Sequence, residues 1–192
     1  MLSKKQQKAK GLCPSGLMKV VLTGEPGVGK TTAIKKLVKL LKGKVVGFWT
    51  EEVRDPNTKQ RRGFKVVSTE GKSSLFASKT FTSKHLVGSY GVNVQRFESV
   101  ALEVLEKALS QKDKVIVIDE VGKMELFSKA FVSLVEELIQ NPKYTVVVTI
   151  PIRDVHPLVA KIRRLQSAVL LEVNKENRDR IPEQIVELLK TA

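Results

Sequence analysis

The stretch Gly24-Glu25-Pro26-Gly27-Val28-Gly29-Lys30-Thr31 decides how this chain is read. Its form is G-x-x-x-x-G-K-[ST], with Thr32 directly behind. Val20-Val21-Leu22-Thr23 precedes it as a β-branched apolar run, which predicts a strand. Ile34, Leu37, Val38 and Leu41 follow at helical spacing, which predicts a helix. A glycine-rich turn in that context is a phosphate-binding loop, the Walker A element. Glycines let backbone N–H groups turn inward around phosphate oxygens, and the helix N-terminus adds partial positive charge. Lys30 is expected to reach the β- and γ-phosphates and Thr31 to give its hydroxyl to Mg²⁺, with Thr32 in support. The bland alternative is a turn that caps a helix without any ligand.

A second element answers the first. Val115-Ile116-Val117-Ile118 is a run of four β-branched apolar residues ending in Asp119-Glu120. That is the Walker B pattern: a buried parallel strand delivers Asp119 beside the loop, where it orients Mg²⁺ and its waters. Glu120, one residue further, is placed to hold and polarise an attacking water. Alone, such a run is only a strand that ends in acids. Downstream of a Walker A element it completes a nucleotide site.

The intervening and following stretches fit an α/β chain. Val45-Val46-Gly47-Phe48-Trp49-Thr50 reads as a buried strand ending in Glu51-Glu52, which emerge at the phosphate end if the strand is parallel to the first. Residues 63–77, with a Glu70-Gly71 turn, suggest an antiparallel excursion. Residues 78–92 are polar and aperiodic, the signature of a long loop that often serves as a lid. His85 stands there alone, a surface histidine rather than a ligand. Phe97, Val100, Ala101, Val104, Leu105 and Ala108 form a helical stripe. Ser128 is expected to cap a helix, Thr149 to sit at a strand tip as a sensor of the γ-phosphate, and Pro157 and Pro182 to open helices. Strands alternating with helices call for a mostly parallel sheet covered on both faces.

Composition sets bounds. The chain has 192 residues, 42% hydrophobic and 28% charged, which suits one well-buried domain. No apolar run approaches 18 residues, so no transmembrane helix is expected. The lysine-bearing N-terminus lacks an apolar core, so no secretory signal is expected either. Cys13 is the one cysteine, which fits a reducing cytoplasm. Residues 1–17 are Lys/Gln-rich without period and read as a disordered basic extension, leaving 18–192 as the folded domain. Of the formal net charge of +14, Lys4, Lys5, Lys8 and Lys10 supply four, leaving +10 for the rest. Solvated lysines and the binding of polyanionic nucleotides account for this better than a nucleic-acid surface, because no RNA-binding signature accompanies it.

The string Asp119-Glu120-Val121-Gly122-Lys123-Met124-Glu125-Leu126 is more specific than a generic Walker B. It resembles the THEP1 family of nucleoside-triphosphatases. Gly24 to Thr32, Gly47-Phe48-Trp49-Thr50-Glu51-Glu52-Val53-Arg54, Gly63-Phe64 and Glu176-Asn177-Arg178-Asp179 agree at family-like spacing. The resemblance runs from Met18 to the C-terminus. It implies a RecA-like P-loop domain, a three-layer α/β sandwich that hydrolyses ATP, GTP and other nucleoside triphosphates with Mg²⁺ and little base discrimination. Carried over, the nucleotide site is residues 24–32 with 115–122. One departure is Thr149-Ile150-Pro151, where the family leads one to expect a Thr-Val-His-like end. Two other functions stay open. A small-molecule kinase would hold an acceptor with Glu51, Glu52, the 78–92 loop or Arg178. A nucleotide-dependent binding module would act on RNA or protein. Arg153, Arg163, Arg164 and Arg178 are candidates for an arginine finger.

Overall fold

The computed structural model describes residues 18–191, so the basic extension and Cys13 lie outside the described residues. Five strands form a parallel half-sheet in the order β2 (Val45–Arg54), β7 (Val115–Ile118), β8 (Thr145–Thr149), β1 (Lys19–Thr23) and β9 (Ala168–Glu172). Their sequences are near-continuous runs of Val, Ile and Leu, as strands buried on both faces require. β8 lies between the strand that carries the glycine-rich loop and the strand that ends at Asp119. The sheet continues past β2 through β3 (Arg61–Ser68), β4 (Ser73–Ser78), β6 (Tyr90–Val92) and β5 (Leu86–Val87), all antiparallel. The excursion read from sequence is therefore larger than expected: four of nine strands.

Helices cover both faces. α2 (Val94–Ala108), α3 (Lys129–Gln140) and α4 (Pro157–Arg163) pack on one side with Val21, Phe48, Ile116, Ile118, Val146 and Val148. Phe97 of α2 touches Phe48, Phe76 and Phe131, with ring centroids 5.1–5.6 Å apart. α1 (Lys30–Leu40) and α5 (Ile181–Thr191) pack on the other side with Val20, Leu22, Val117 and Val147. The alternation of β7 shows why: Ile116 and Ile118 enter one core and Val117 the other, as a strand's period of two dictates. The caps follow local chemistry. Ser128 Oγ accepts from Phe131 N–H at 3.1 Å, and Asn93 Oδ1 accepts from Arg96 N–H at 3.0 Å. Among the described residues no helix is long and apolar enough to cross a membrane.

Two stretches differ from their sequence reading. β2 does not stop at Thr50 but runs to Arg54, its second half pairing with β3. The acids Glu51 and Glu52 sit within a strand because cross-strand partners hold them: Glu51 pairs with Lys65 and Glu52 with Arg61, while Arg54, two residues along the same strand, also meets Glu52. Residues 78–92 are no long open loop. They close into the β5–β6 hairpin, tied by Ser83 Oγ to Val92 O at 2.7 Å and by Val92 N–H to His85 O at 2.9 Å. His85 packs its ring on Phe127, centroids 4.7 Å apart.

Candidate active site

β1 is buried along its length and delivers the loop at its carboxyl end. Gly24 has φ +154°, and a Cβ there would stand 2.6 Å from Val173 O, so only glycine fits against β9. Gly29 caps α1 in the left-handed region, φ +114°. Lys30 is buried, and its ammonium donates to Gly24 O at 2.8 Å and Ile150 O at 3.4 Å. The charge is thereby folded across the mouth of its own loop. Glu25, Pro26, Gly27, Gly29, Lys30, Thr31 and Thr32 line the adjoining cavity. Val28 instead packs toward the α1/α5 core.

Asp119 follows β7 directly and is fully buried. Its Oδ2 accepts from Thr31 Oγ1 at 2.8 Å and from Thr50 N–H at 3.5 Å, and its Oδ1 accepts from Thr149 Oγ1 at 2.5 Å. Three elements thus converge on one carboxyl. Burial pushes its pKa up, and the hydroxyls of Thr149 and Thr31 oppose that. Thr149 is buried behind Asp119, so it holds the carboxyl rather than sensing a phosphate. Glu120 is half-buried and lines the cavity. Burial raises its pKa to about 7; the charge of Lys30 works against this and that of Asp119 with it. Val115 to Ile118 keep their side chains in or against the cores and position the acids without reaching the cavity. Val121 and Gly122 are likewise buried beneath it.

A third acid, Glu125, belongs to the site although its sequence context does not single it out. It is buried, its Oε1 accepts from Gly122 N–H at 3.1 Å, and burial followed by the charges of Glu120 and Asp119 pushes it well above the usual carboxylate range. The one local signal is an acid flanked by Met124 and Leu126, both turned inward.

The cavity has a volume of about 810 Å³, within the range of small-ligand sites, roughly 300–1,000 Å³. The loop and Glu120 form one side. Thr50, Glu52, Arg54, Arg61 and Phe64 of the β2–β3 hairpin form a second, and Pro151 to Arg153 with Val155 a third. Residues 50, 52 and 54 share one face of β2, so Glu51 turns away. It meets Lys35 at 2.9 Å, Lys65 at 3.3 Å and Trp49 Nε1 at 2.8 Å. Among the arginines singled out from sequence, Arg163 braces Pro151 O, Thr23 Oγ1 and Asp154. Arg178 lies against Gly29 and reaches Val28 O at 3.5 Å. Only Arg153 lines the cavity. No metal-binding cluster of His, Cys, Asp and Glu occurs among the described residues.

A glycine-rich loop closed by its own lysine, facing an Asp-Glu pair across a parallel sheet, defines a P-loop nucleotide-binding protein. Comparison with known proteins narrows the class: the chain belongs to the NTPase family, whose model matches residues 19–186, and with it to the THEP1 nucleoside-triphosphatases. It is 61% identical to the nucleoside-triphosphatase THEP1 of Aquifex aeolicus over 177 residues, covering 90% of this chain and 99% of that one. It is 39% identical to the human cancer-related nucleoside-triphosphatase, covering 90% and 97%. The crystal structure of the Aquifex protein superposes with a TM-score of 0.85, covering 90% of this chain and 99% of that one.

Proposed function

We propose that this protein hydrolyses nucleoside 5′-triphosphates to the diphosphate and phosphate, with Mg²⁺ and with broad base specificity. The observation that carries the reading is the convergence of Lys30, Thr31 and Glu120 at one cavity wall, with Asp119 buried directly behind and its Oδ2 2.8 Å from Thr31 Oγ1. These two hard oxygen donors suit Mg²⁺, which takes one or two protein oxygens and keeps several waters. Bound there, the ion would neutralise charge on the phosphate oxygens. The N–H groups at the start of α1 point toward the phosphates, and Lys30 leaves Gly24 O to meet the β- and γ-phosphates. Glu120, its pKa held near neutrality, accepts a proton from the water that attacks the γ-phosphorus as the bond to the β-bridging oxygen breaks. Glu125 supports Gly122 behind it.

These contacts read phosphate, which is blind to the base, and so support comparable turnover of ATP, GTP, CTP and UTP. The unbroken nine-stranded sheet supports 18–192 as one catalytic unit. We place its work in the cytoplasm, where nucleoside triphosphates are supplied. The test is phosphate release from each of the four triphosphates, with and without Mg²⁺ and candidate acceptors, by the intact chain and by Lys30→Ala. Release by the wild type alone and its loss in Lys30→Ala are expected. A preference beyond about a hundredfold, roughly 2.7 kcal/mol, would overturn the broad specificity. Turnover that requires an acceptor would make the protein a kinase.

A further inference from the structure

The loop between β8 and α4 carries an arginine whose guanidinium has no partner among the described residues. Arg153 is exposed and lines the same cavity as Lys30, Thr31 and Glu120. Its guanidinium makes no hydrogen bond, ion pair or ring contact among the described residues. The other two arginines on the cavity are engaged. Arg54 forks onto Glu52 at 2.6 and 3.0 Å and donates to Lys59 O at 2.9 Å. Arg61 donates to Tyr90 Oη at 3.0 Å and to Glu52 at 3.1 Å, and lies over Phe64 and Tyr90. The acid next to Arg153 is taken as well: Asp154 pairs with Arg163 at 2.9 Å and Arg164 at 3.7 Å.

The backbone that presents Arg153 is held on both sides. Ile150 N–H donates to Leu22 O at 2.8 Å, and Pro151 O accepts from Thr23 Oγ1 at 3.1 Å and Arg163 Nη2 at 2.5 Å. Arg163 also holds Asp154, so one largely buried side chain clamps the loop at Pro151 and at Asp154, with Arg153 between them. Ile150 O, three residues before Arg153, accepts from the Lys30 ammonium. Three residues of chain span at most about 10 Å, so the base of the arginine stays close to the phosphate-binding lysine.

We propose that Arg153 is an arginine finger supplied in cis, whose guanidinium binds γ-phosphate oxygens as charge builds up during hydrolysis. The proposal rests on the hydrolase reading given above. A guanidinium stays charged and offers a planar fork that matches two phosphate oxygens. A finger of this kind is worth roughly a thousand- to a hundred-thousandfold in turnover, and a single preorganised donor to a developing oxyanion about a hundred- to a thousandfold. Arg163 is the positioning residue: it sets the loop and does not face the nucleotide.

The experiment compares the intact wild type with Arg153→Ala, Arg153→Lys and the neighbouring control Arg164→Ala. It measures kcat and KM for MgATP, affinity for a fluorescent ATP analogue, and circular dichroism. Arg153→Ala is expected to keep its fold, bind the analogue within about threefold of wild type, and lose about a hundredfold or more in kcat. Arg153→Lys should recover part of that loss, added guanidinium should rescue Arg153→Ala, and Arg164→Ala should match wild type. A smaller loss in Arg153→Ala, or a loss without rescue by guanidinium, overturns the proposal. A mixture of Arg153→Ala with Glu120→Gln should stay inactive; recovery on mixing would overturn the cis assignment. A wild type that releases no phosphate would refute the hydrolase reading itself, whereas an active wild type beside an active Arg153→Ala refutes only the finger.

Discussion

Thr149→Val asks whether the buried carboxyl of Asp119 is held as the structure shows. Valine keeps the shape of threonine and removes the hydroxyl. Asp119 Oδ1 then loses Thr149 Oγ1, its hydrogen-bond donor at 2.5 Å, while Oδ2 keeps Thr31 and Thr50. Both residues are fully buried, so bulk water does not substitute. A hydrogen bond to a charged group is worth about 1.5–3 kcal/mol. The methyl that replaces the hydroxyl offsets up to about 0.8 kcal/mol by added apolar burial. The net loss is about 1–2 kcal/mol, or about 2–8 °C in Tm for a chain of this size. Urea melts at pH 7 without nucleotide measure it, with an unchanged m-value confirming that the native and unfolded states are comparable. Thr149→Ser should retain most of the stability because it keeps the donor. The reasoning is refuted if Thr149→Val lies within about 0.5 kcal/mol of wild type, or if Thr149→Ser is as unstable as Thr149→Val.

Glu120→Gln keeps size and one acceptor but loses the base, so Mg-nucleotide binding should persist while single-turnover hydrolysis slows about a hundredfold or more; wild-type rates would remove Glu120 from the mechanism. Gly24→Ala forces a Cβ to 2.6 Å from Val173 O, so the loop must shift and nucleotide affinity, read by equilibrium titration, should fall by about tenfold or more. Glu51 is held down to about 2: burial pushes its pKa up, but Lys35, Trp49 and Lys65 more than reverse this. Its ionised form therefore stabilises the fold at pH above the unfolded value, near 4.3, and that stability is lost as pH falls toward 2. Glu51→Gln should cost about 1–2 kcal/mol at pH 7, discounted for partial exposure, and the gap in Tm from wild type should close between about pH 5 and pH 2; a gap that does not change with pH would show that the ion pairs contribute nothing.

What can be read from sequence is what lies contiguous along it. The glycine loop, its lysine and the apolar run ending in Asp119-Glu120 each fit within one short window, and local spacing is enough to place them. Thr149 is visible as a strand tip, but its partner is 30 residues away, and a buried hydroxyl bonded to a carboxyl looks like an exposed one until the fold is known. Glu51 and Glu52 look like a strand's solvated exit because acids are poor strand formers. Cross-strand lysine and arginine partners, which no local window contains, override that propensity. The β5–β6 hairpin leaves no trace because strands of two and three residues carry too little alternation to register. Arg163 is a similar case: it bonds Thr23, 140 residues upstream, while in sequence nothing separates it from the other three candidates for an arginine finger.

The length of β2 has a mechanical consequence. Its first half is a member of the parallel sheet and its second half is the near wall of the cavity, so the wall is a cantilever with no joint at its root. The ladder to β7 holds Val45 to Phe48 at its root and the ladder to β3 runs on from Phe48 to Arg54, while the stretch expected to act as a lid is tied into the far edge of the same sheet. Enzymes that pass a phosphoryl group to another molecule gain from a cover that shuts water out during transfer. A wall built into the sheet itself is not a cover of that kind, which suits an enzyme whose acceptor is water.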